Sequence, residues 1–214
     1  MIKLTPQDAQ HIEICIQELE ARTCADVLLV LRESSGNYRD VAHLMGAILG
    51  LLVLLIAMVA PAEIPEFYLP LPMIFVFWIT SWIVLHTRLK ILFSGPNRKI
   101  AQVAKAAHAC FYEKKIHQTR LHAGILIYCS LQEKQVELVM DRIAEQALEK
   151  AKILEFQDSF SQKACLTNSA DRTRGLLEVL RTFGVYLGSK LPAAEGERLN
   201  ELSNTPDFGE DDSR

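Results

Sequence analysis

Two stretches of this 214-residue sequence, residues 41–60 and 67–86, contain no aspartate, glutamate, lysine or arginine. A helix rises about 1.5 Å per residue, so stretches of this length match a hydrocarbon layer of roughly 30 Å. Only the short segment Pro-Ala-Glu-Ile-Pro-Glu, residues 61–66, separates them. The absence of charge excludes a purely soluble protein and predicts a transmembrane helical hairpin over residues 41–86.

The segment 61–66 also lacks lysine and arginine, whereas Arg32 and Arg39 precede the first stretch. Four basic residues follow the second stretch: Arg88, Lys90, Arg98 and Lys99. Because basic residues concentrate on the cytoplasmic side of membrane helices, both ends of the hairpin are predicted to be cytoplasmic. The N-terminal residues show no apolar core of the signal-peptide type. We expect an integral protein of a bacterial inner membrane, with both termini and the folded domain in the cytoplasm.

The four basic residues after the hairpin have two interpretations. They lie in the linker 87–95 and at the start of the segment that follows it. Each basic residue near anionic lipid contributes about 1 kcal/mol to membrane binding, so the group is predicted to face the headgroups of the bilayer. Alternatively, the same charges serve only to set the orientation of the hairpin in the membrane and bind no particular lipid.

Small residues recur along the first apolar stretch, at Ala42, Gly46 and Gly50. Such a face lets the backbones of two membrane helices approach closely. The second helix of the same hairpin is the favoured partner. A second copy of the chain, giving a homo-oligomer through Gly46 and Gly50, is the alternative.

The sequence has no excess of basic charge and no cysteine pair of the C-x-x-C type. Lysine and arginine number 23 against 26 acidic residues, a net charge of −3, which excludes nucleic acid as a partner. The odd number of widely spaced cysteines argues against a disulfide framework and a zinc knuckle. We expect free cytosolic thiols at Cys15, Cys24, Cys110, Cys129 and Cys165.

Outside the hairpin, residues 1–40 form the first part of a folded domain. Thr5 and Pro6 are a typical N-cap and first helical residue. The spacing of Ile12, Cys15, Ile16 and Leu19 predicts a helix with one buried face. Residues 25–31 are almost continuously apolar, which predicts a strand covered on both faces.

The second part of the domain covers residues 96–192. Pro96 begins a predicted helix whose apolar stripe comprises Ile100, Val103, Ala104, Ala107 and Phe111. Two predicted strands, 124–129 and 135–140, are joined too closely for a parallel crossover and must be antiparallel. A helix is predicted over about 142–152, then an irregular stretch, then a helix over 171–191. The fold class is α/β, a small mixed β-sheet packed between helices and interrupted by the transmembrane hairpin. Residues 193–214 carry seven acidic residues and two arginines and are predicted to be a flexible tail.

Several segments together resemble a known family. They are residues 18–27 (Glu-Leu-Glu-Ala-Arg-Thr-Cys-Ala-Asp-Val), 124–133 (Gly-Ile-Leu-Ile-Tyr-Cys-Ser-Leu-Gln-Glu) and 136–142 (Val-Glu-Leu-Val-Met-Asp-Arg), with the shorter pieces Thr119-Arg120, Leu191-Pro192 and Asn200-Glu201-Leu202. Over residues 1–32 and 96–204 the sequence resembles the TPM domain family. The resemblance implies a mixed sheet between helices.

That family includes thylakoid-lumen proteins involved in photosystem II repair, some described as acid phosphatases, and many membrane-attached bacterial proteins. This sequence departs from the family in two respects. Many relatives place the domain outside the cytoplasm, whereas the charges here predict a cytoplasmic domain. The family also commonly has Gly-Ile shortly after the Asp-Arg pair, where this chain has Ile143-Ala144.

Asp26 and Asp141 are the first candidates for chemistry, because both match acidic positions of the family motif. Two close carboxylates can bind a divalent cation such as Ca²⁺ or Mg²⁺, or act as general acid and base. Alternatively, Asp26 caps a loop and Asp141 begins a helix. Ser130, Glu133 and Glu137 would add oxygen ligands, or else form a solvated turn.

No common phosphoryl-transfer motif is present: the sequence has no Gly-rich P-loop, no Asp-x-Asp and no Cys-x5-Arg. Near Cys110, His108, His117 and His122 lack the spacing of a metal site. Arg120 and Arg142 either contact an anion or are ordinary surface residues.

The preferred functional hypothesis is a membrane-anchored module that binds, assembles or maintains a membrane protein complex at the cytoplasmic face. The alternative is a weak metal-dependent phosphatase that uses Asp26 and Asp141. The sequence leaves open whether the protein is an enzyme.

Overall fold

The computed structural model describes residues 6–59, 68, 70–87, 89–164, 166, 168–193 and 206–207. The chain divides into two compact units, Met1–Ser35 with Ile100–Arg214, and Gly36–Lys99. The helices are α1 (Pro6–Glu20), α2 (Arg39–Val59), α3 (Pro70–His86), α4 (Leu89–Leu92), α5 (Pro96–Glu113), α6 (Arg142–Ala147), α7 (Lys150–Ala164) and α8 (Ser169–Lys190), and the strands are β1 (Val27–Arg32), β2 (Ile125–Ser130) and β3 (Gln135–Met140). We call the first unit the α/β unit and the second the helical unit.

The α/β unit contains a three-stranded mixed sheet in the order β1-β2-β3. β1 runs parallel to β2, with Val27 opposite Ile125. β2 runs antiparallel to β3, with Ile125 opposite Met140. The predicted small mixed sheet and the antiparallel pair are confirmed.

Helices cover both faces of this sheet. Alternate β1 residues, such as Leu29 and Leu31, join a buried cluster with side chains of α1, α7 and α8. Val30, between them, joins a second cluster on the other face with Val103 and Phe111 of α5. The α/β class is therefore confirmed, as is the expectation that β1 is covered on both sides.

The predicted helix faces agree with the observed burial at most positions. On α1, Ile12, Cys15, Ile16 and Leu19 are all buried. α1 begins at Pro6 as expected, while the proposed N-cap, Thr5, lies outside the described residues. Ile100 is an exception, because it is 47% exposed instead of lining the stripe of α5.

The prediction of one helix over 142–152 followed by an irregular stretch is wrong. α6 ends at Ala147, and Leu148 is extended, with φ −101° and ψ 140°. Burial of the Leu148 side chain accompanies this break. α7 then runs to Ala164 and packs its buried Phe160 against Phe183 of α8 at 5.9 Å between ring centroids. The polar residues between the aromatic residues of α7 concealed its apolar face in the sequence.

In the helical unit, α2 and α3 pack antiparallel, since Gly46 lies beside Phe77 and Gly50 beside Met73. Among the described helices, α2 is long and apolar enough to cross a membrane by length and composition, whereas α3 is a shorter apolar helix of 17 residues. At 1.5 Å per residue, α3 is about 25 Å long. A hairpin that spans the membrane twice therefore stays a prediction.

Candidate functional site

The exterior of the α2–α3 pair is a continuous apolar surface. Along α2, Ile48, Leu52 and Ile56 are each at least half exposed, and along α3 the same is true of Phe75 and Trp78. Further exposed apolar side chains on these helices are Leu44, Leu51, Leu55, Met58, Val59, Leu71, Ile74 and Trp82. Soluble proteins seldom expose apolar patches larger than a few hundred Å² without a binding role. This surface is a candidate contact with lipid or with an apolar surface of a partner protein.

The small-residue face of α2 points toward α3 of the same chain. A Cβ atom at Gly46 would lie 2.8 Å from the carbonyl oxygen of Phe77, and one at Gly50 would lie 3.1 Å from that of Met73. The Ser81 hydroxyl donates to the carbonyl of Ala42 at 3.4 Å. In the structure, Gly46 and Gly50 thus lie against the second helix of the pair. A homo-oligomer through the same glycines would have to displace α3 and stays a prediction.

One member of the predicted basic group has a carboxylate partner. The guanidinium of Arg98 donates to Asp40 within the helical unit. Lys99 is half-buried. Arg88 and the side chain of Lys90 lie outside the described residues. Contact of this group with lipid headgroups stays a prediction.

Asp26 and Asp141 lie at the same end of the sheet, on either side of β2. The N–H of Ile125 donates to the carbonyl of Asp26 at 2.8 Å, and the N–H of Asp141 donates to the carbonyl of Gly124 at 2.9 Å. Because neighbouring strands are 4.7–4.9 Å apart, two such steps separate the two backbones by about 10 Å. β1 and β3 are therefore not adjacent, and the carboxylates are not brought together by direct strand pairing.

Asp141 has a structural role in this geometry. Its Oδ1 accepts a hydrogen bond from the Arg142 N–H at 2.7 Å, as the N-cap of α6. Its Oδ2 lies 3.2 Å from Nδ1 of His122. The helix-start interpretation of Asp141 is therefore confirmed. Over the described part of the chain, no three His, Cys, Asp or Glu side chains are grouped as a metal site, and the divalent-cation hypothesis for Asp26 and Asp141 stays untested.

A polar cluster with a buried carboxylate, Glu133, lies at the opposite end of the sheet, where β1 and β2 end. Oε1 of Glu133 accepts hydrogen bonds from the Ser34 hydroxyl at 2.9 Å and the Ser35 N–H at 3.2 Å. Oε2 of Glu133 accepts from the Ser130 hydroxyl. The Ser35 hydroxyl donates to that of Ser130 at 2.8 Å and lies 3.0 Å from the Tyr128 hydroxyl. We call these five residues the serine–glutamate cluster.

The interpretation of Ser130 and Glu133 as part of a solvated turn is wrong, because they are only 1% and 4% exposed. Both oxygens of the Glu133 carboxylate are engaged, which compensates for its loss of water. Burial also raises the pKa of the Tyr128 phenol, so this hydroxyl is held neutral. The cluster therefore fixes the loop after β1 against the β2–β3 turn.

The third candidate oxygen ligand, Glu137 on β3, is separate from this cluster. Its Oε2 accepts a hydrogen bond from the Gln157 side chain of α7 at 2.8 Å. Burial raises the pKa of the Glu137 carboxyl above its ordinary value. A neutral carboxyl at this position is therefore favoured by folding.

Replacing Glu137 with glutamine should make the protein more stable than the wild type at pH 7. The raised pKa means that the folded wild type loses stability as pH rises from about 4.5 through the folded-state pKa, because the unfolded chain ionises first. Glutamine has no charge to desolvate, so the variant should lack this dependence of stability on pH. Urea unfolding followed by circular dichroism between pH 4.5 and 7 measures the difference, with the exposed Glu145→Gln as control. Parallel pH profiles for wild type and Glu137→Gln would contradict the assignment.

The cysteines and histidines do not converge on one site among the described residues. Cys15, Cys110 and Cys129 are buried free thiols, and Cys24 is partly exposed. Burial raises the pKa of the Cys15 and Cys110 thiols, which makes them weak nucleophiles. His117 packs against the Tyr112 ring at 5.2 Å between centroids. Cys165 lies outside the described residues.

Two features were missed by sequence reasoning. The first is the pair Ser34–Ser35, which forms hydrogen bonds with Glu133 although the residues are 99 and 98 positions apart in the sequence. A Ser-Ser pair two residues after the end of a buried strand was a usable signal, because binding sites in open α/β sheets lie at the carboxyl ends of the strands. The second is Asp207, which lies in the tail but bonds to β1. Nothing in the sequence distinguishes Asp207 from the other six acidic residues of the tail.

These features define a small α/β protein with an appended apolar helical pair. No protein-family model matches the chain, and no curated protein matches it. Among solved structures, the chain is similar to the NMR structure of the BA42 protein from the psychrophilic bacterium Bizionia argentinensis, with a TM-score of 0.58, 15% sequence identity and 97% of each chain covered. At this level of identity the likeness shows a shared fold and nothing about activity.

Proposed function

We propose that this chain is a membrane-anchored binding module. In this proposal α2 and α3 both cross the membrane as a hairpin, and the α/β unit binds, assembles or maintains a membrane protein complex at the cytoplasmic face. The apolar exterior of the α2–α3 pair carries the proposal. A helix that is apolar all round must be buried in protein or in lipid.

Within the helical unit, lipid accounts best for this surface. α2 already uses its small residues against α3, so the large apolar side chains on both helices point outward. Trp78 and Trp82 are 68% and 63% exposed. Aromatic residues of this kind favour the membrane interface and its apolar interior. In the sequence, the uncharged stretch of residues 67–86 has the length that a bilayer requires.

The orientation and the family are parts of the same proposal. The basic residues on either side of the hairpin support cytoplasmic termini in a bacterial inner membrane. The resemblance to the TPM domain family is most specific over residues 124–142, which include β2, β3 and the turn that holds Glu133. Of the roles known in that family, maintenance or assembly of a membrane complex requires no catalytic site, whereas phosphatase activity does.

Reporter fusions at residues 64 and 205 should lie on opposite sides of the membrane. Alkaline phosphatase fused at residue 64 is expected to be active outside the cytoplasm, and green fluorescent protein fused at residue 205 is expected to fluoresce inside. The pair also distinguishes one span from two. If α2 alone crosses the membrane, both fusions report the same side, and the hairpin is wrong.

The binding role is tested by affinity capture from mild detergent, followed by an assay of phosphomonoester hydrolysis with Mg²⁺ or Ca²⁺. The module proposal expects repeated recovery of one membrane complex and background hydrolysis. Asp141→Asn is the matched variant, because asparagine also caps a helix while removing the charge. Hydrolysis that disappears in Asp141→Asn, with the fold intact, would instead establish the phosphatase alternative.

A further inference from the structure

The outer edge of β1, opposite β2, is covered by other parts of the α/β unit. Near its start, Thr23 forms a bridge with Pro192 and donates its hydroxyl to the carbonyl of Leu191 at 2.6 Å. The N–H of Val27 donates to the buried Glu20 carboxylate at 2.9 Å. These contacts satisfy the first part of an edge that would otherwise offer free backbone groups to other chains.

The last part of this edge is covered by the tail. The N–H of Asp207 donates to the carbonyl of Leu29 at 3.0 Å, and the N–H of Leu31 donates to the carbonyl of Asp207 at 2.9 Å. Together they form a parallel bridge with Val30. Pro206, just before it, is buried. Asp207 therefore pairs with the outer edge of β1 through one isolated parallel bridge.

The side chain of this segment is bound as well as its backbone. The Asp207 carboxylate lies 2.6 Å from Nζ of Lys114, at the end of α5, and 3.9 Å from the guanidinium of Arg32, at the end of β1. The Asp207 side chain is 23% exposed. Two cations from different elements thus meet one carboxylate beside the outer edge of β1. We call the site formed by Leu29, Leu31, Arg32 and Lys114, which Asp207 occupies, the β1 clasp.

Two separable interactions hold a segment in the β1 clasp. The backbone bonds to Leu29 and Leu31 accept any extended chain, as in the addition of a peptide strand to an open sheet edge. The two cations select a segment with a carboxylate at the bridging position. Neither interaction depends on the occupant being covalently attached. Attachment raises the local concentration of the tail, which makes the tail an intramolecular competitor for other segments.

We infer that the β1 clasp is a docking site for an extended acidic segment of a partner protein, and that residues 206–207 occupy it when no partner is bound. Charge complementarity identifies the occupant, since the clasp presents cations and the observed occupant presents a carboxylate. The inference gives a partner class to the binding role proposed above and rests on it.

Titration of the detergent-solubilised full-length chain with a labelled peptide of residues 203–210 tests the inference. In Asp207→Lys, repulsion from Arg32 and Lys114 should release the tail and raise hydrogen exchange in a fragment covering Val27–Arg32. The peptide should then bind this variant about tenfold more tightly than it binds the wild type, because the intramolecular competitor is gone. Peptide binding should restore the lost protection. Asp211→Lys, with the same charge change outside the bridge, is the control and should behave as the wild type.

A charge reversal keeps the test decisive if Asp207→Lys is misfolded. Lys114→Asp combined with Asp207→Lys should return hydrogen exchange in β1 toward the wild-type level. Equal binding of the peptide to wild type and Asp207→Lys, or equal binding of an Asp207→Asn peptide, would overturn the inference. A concentration-dependent dimer whose β1 edge is protected by a second copy's tail would also overturn it. The reporter fusions are independent of all these results, so membrane attachment and peptide docking can fail separately.

Discussion

Glu133→Ala should destabilise the α/β unit by about 3–5 kcal/mol, because it removes a buried carboxylate that accepts several hydrogen bonds. The substitution removes the acceptor of three hydrogen bonds, from Ser34, from the Ser35 N–H and from Ser130. Hydrogen bonds to a charged group contribute about 1.5–3 kcal/mol each, and the donors left behind in a buried site add a desolvation cost. The expected loss of stability is smaller than the sum of these contributions, because the loop can relax and let water reach the remaining donors.

Pulsed labelling of Cys129 against urea measures this loss directly. The Cys129 thiol is fully buried in β2, so it reacts only when the sheet opens. With a slope of 1–3 kcal/mol per molar urea, the midpoint should fall by about 2 M. Glu133→Gln should lose about 1–2 kcal/mol, because an amide oxygen can still accept one of the bonds. The exposed Glu145→Ala is the control, and a midpoint for Glu133→Ala equal to that of this control would refute the role of the cluster.

Gly46→Leu should separate α2 from α3 and destabilise the helical unit by about 3 kcal/mol. A Cβ at this position would already lie 2.8 Å from the Phe77 carbonyl oxygen. That atom belongs to the backbone of α3, so a change of rotamer cannot relieve the overlap. The Ser81 hydroxyl, bonded to the Ala42 carbonyl, would be displaced as well.

Tryptophan fluorescence reports this effect selectively, because the two tryptophans of the sequence, Trp78 and Trp82, both lie on α3. In detergent, the thermal midpoint of the fluorescence transition should fall by about 12–24 °C. Ala47→Leu places the same side chain on the neighbouring, exposed position of α2 and should leave the midpoint nearly unchanged. Equal shifts for the two variants would mean that Gly46 does not set the spacing of the helices.

The sheet and its two helical layers were predictable because local patterns determined them. The continuous apolar run of β1 could be satisfied only by cover on both faces, and the short connection between β2 and β3 allowed one pairing. α7 was missed because Phe156 and Phe160 are separated by polar residues, and their role depends on rings of α8 distant in sequence. Periodicity within a short window does not contain that information.

The candidate sites were less predictable, since they depend on which strands are neighbours. Asp26 and Asp141 were identified by type and position, but the order β1-β2-β3 places a strand between them. Ser34 and Glu133 meet because β1 and β2 end at the same edge, a fact of topology. The pairing of Asp207 with β1 is a long-range event that neither propensity nor charge pattern indicates.

The separation of β1 from β2 along the chain also sets an order of events during synthesis. β1 emerges from the ribosome roughly 90 residues before its partner strand, which at about 5–20 residues per second is a delay of about 5–20 s. During that interval its apolar side chains and both backbone edges have no sheet to join. In the proposed topology, the hairpin enters the bilayer within the same interval. If the proposed topology holds, the sheet is therefore incomplete while the hairpin inserts, and it forms only when residues 125–140 have been synthesised.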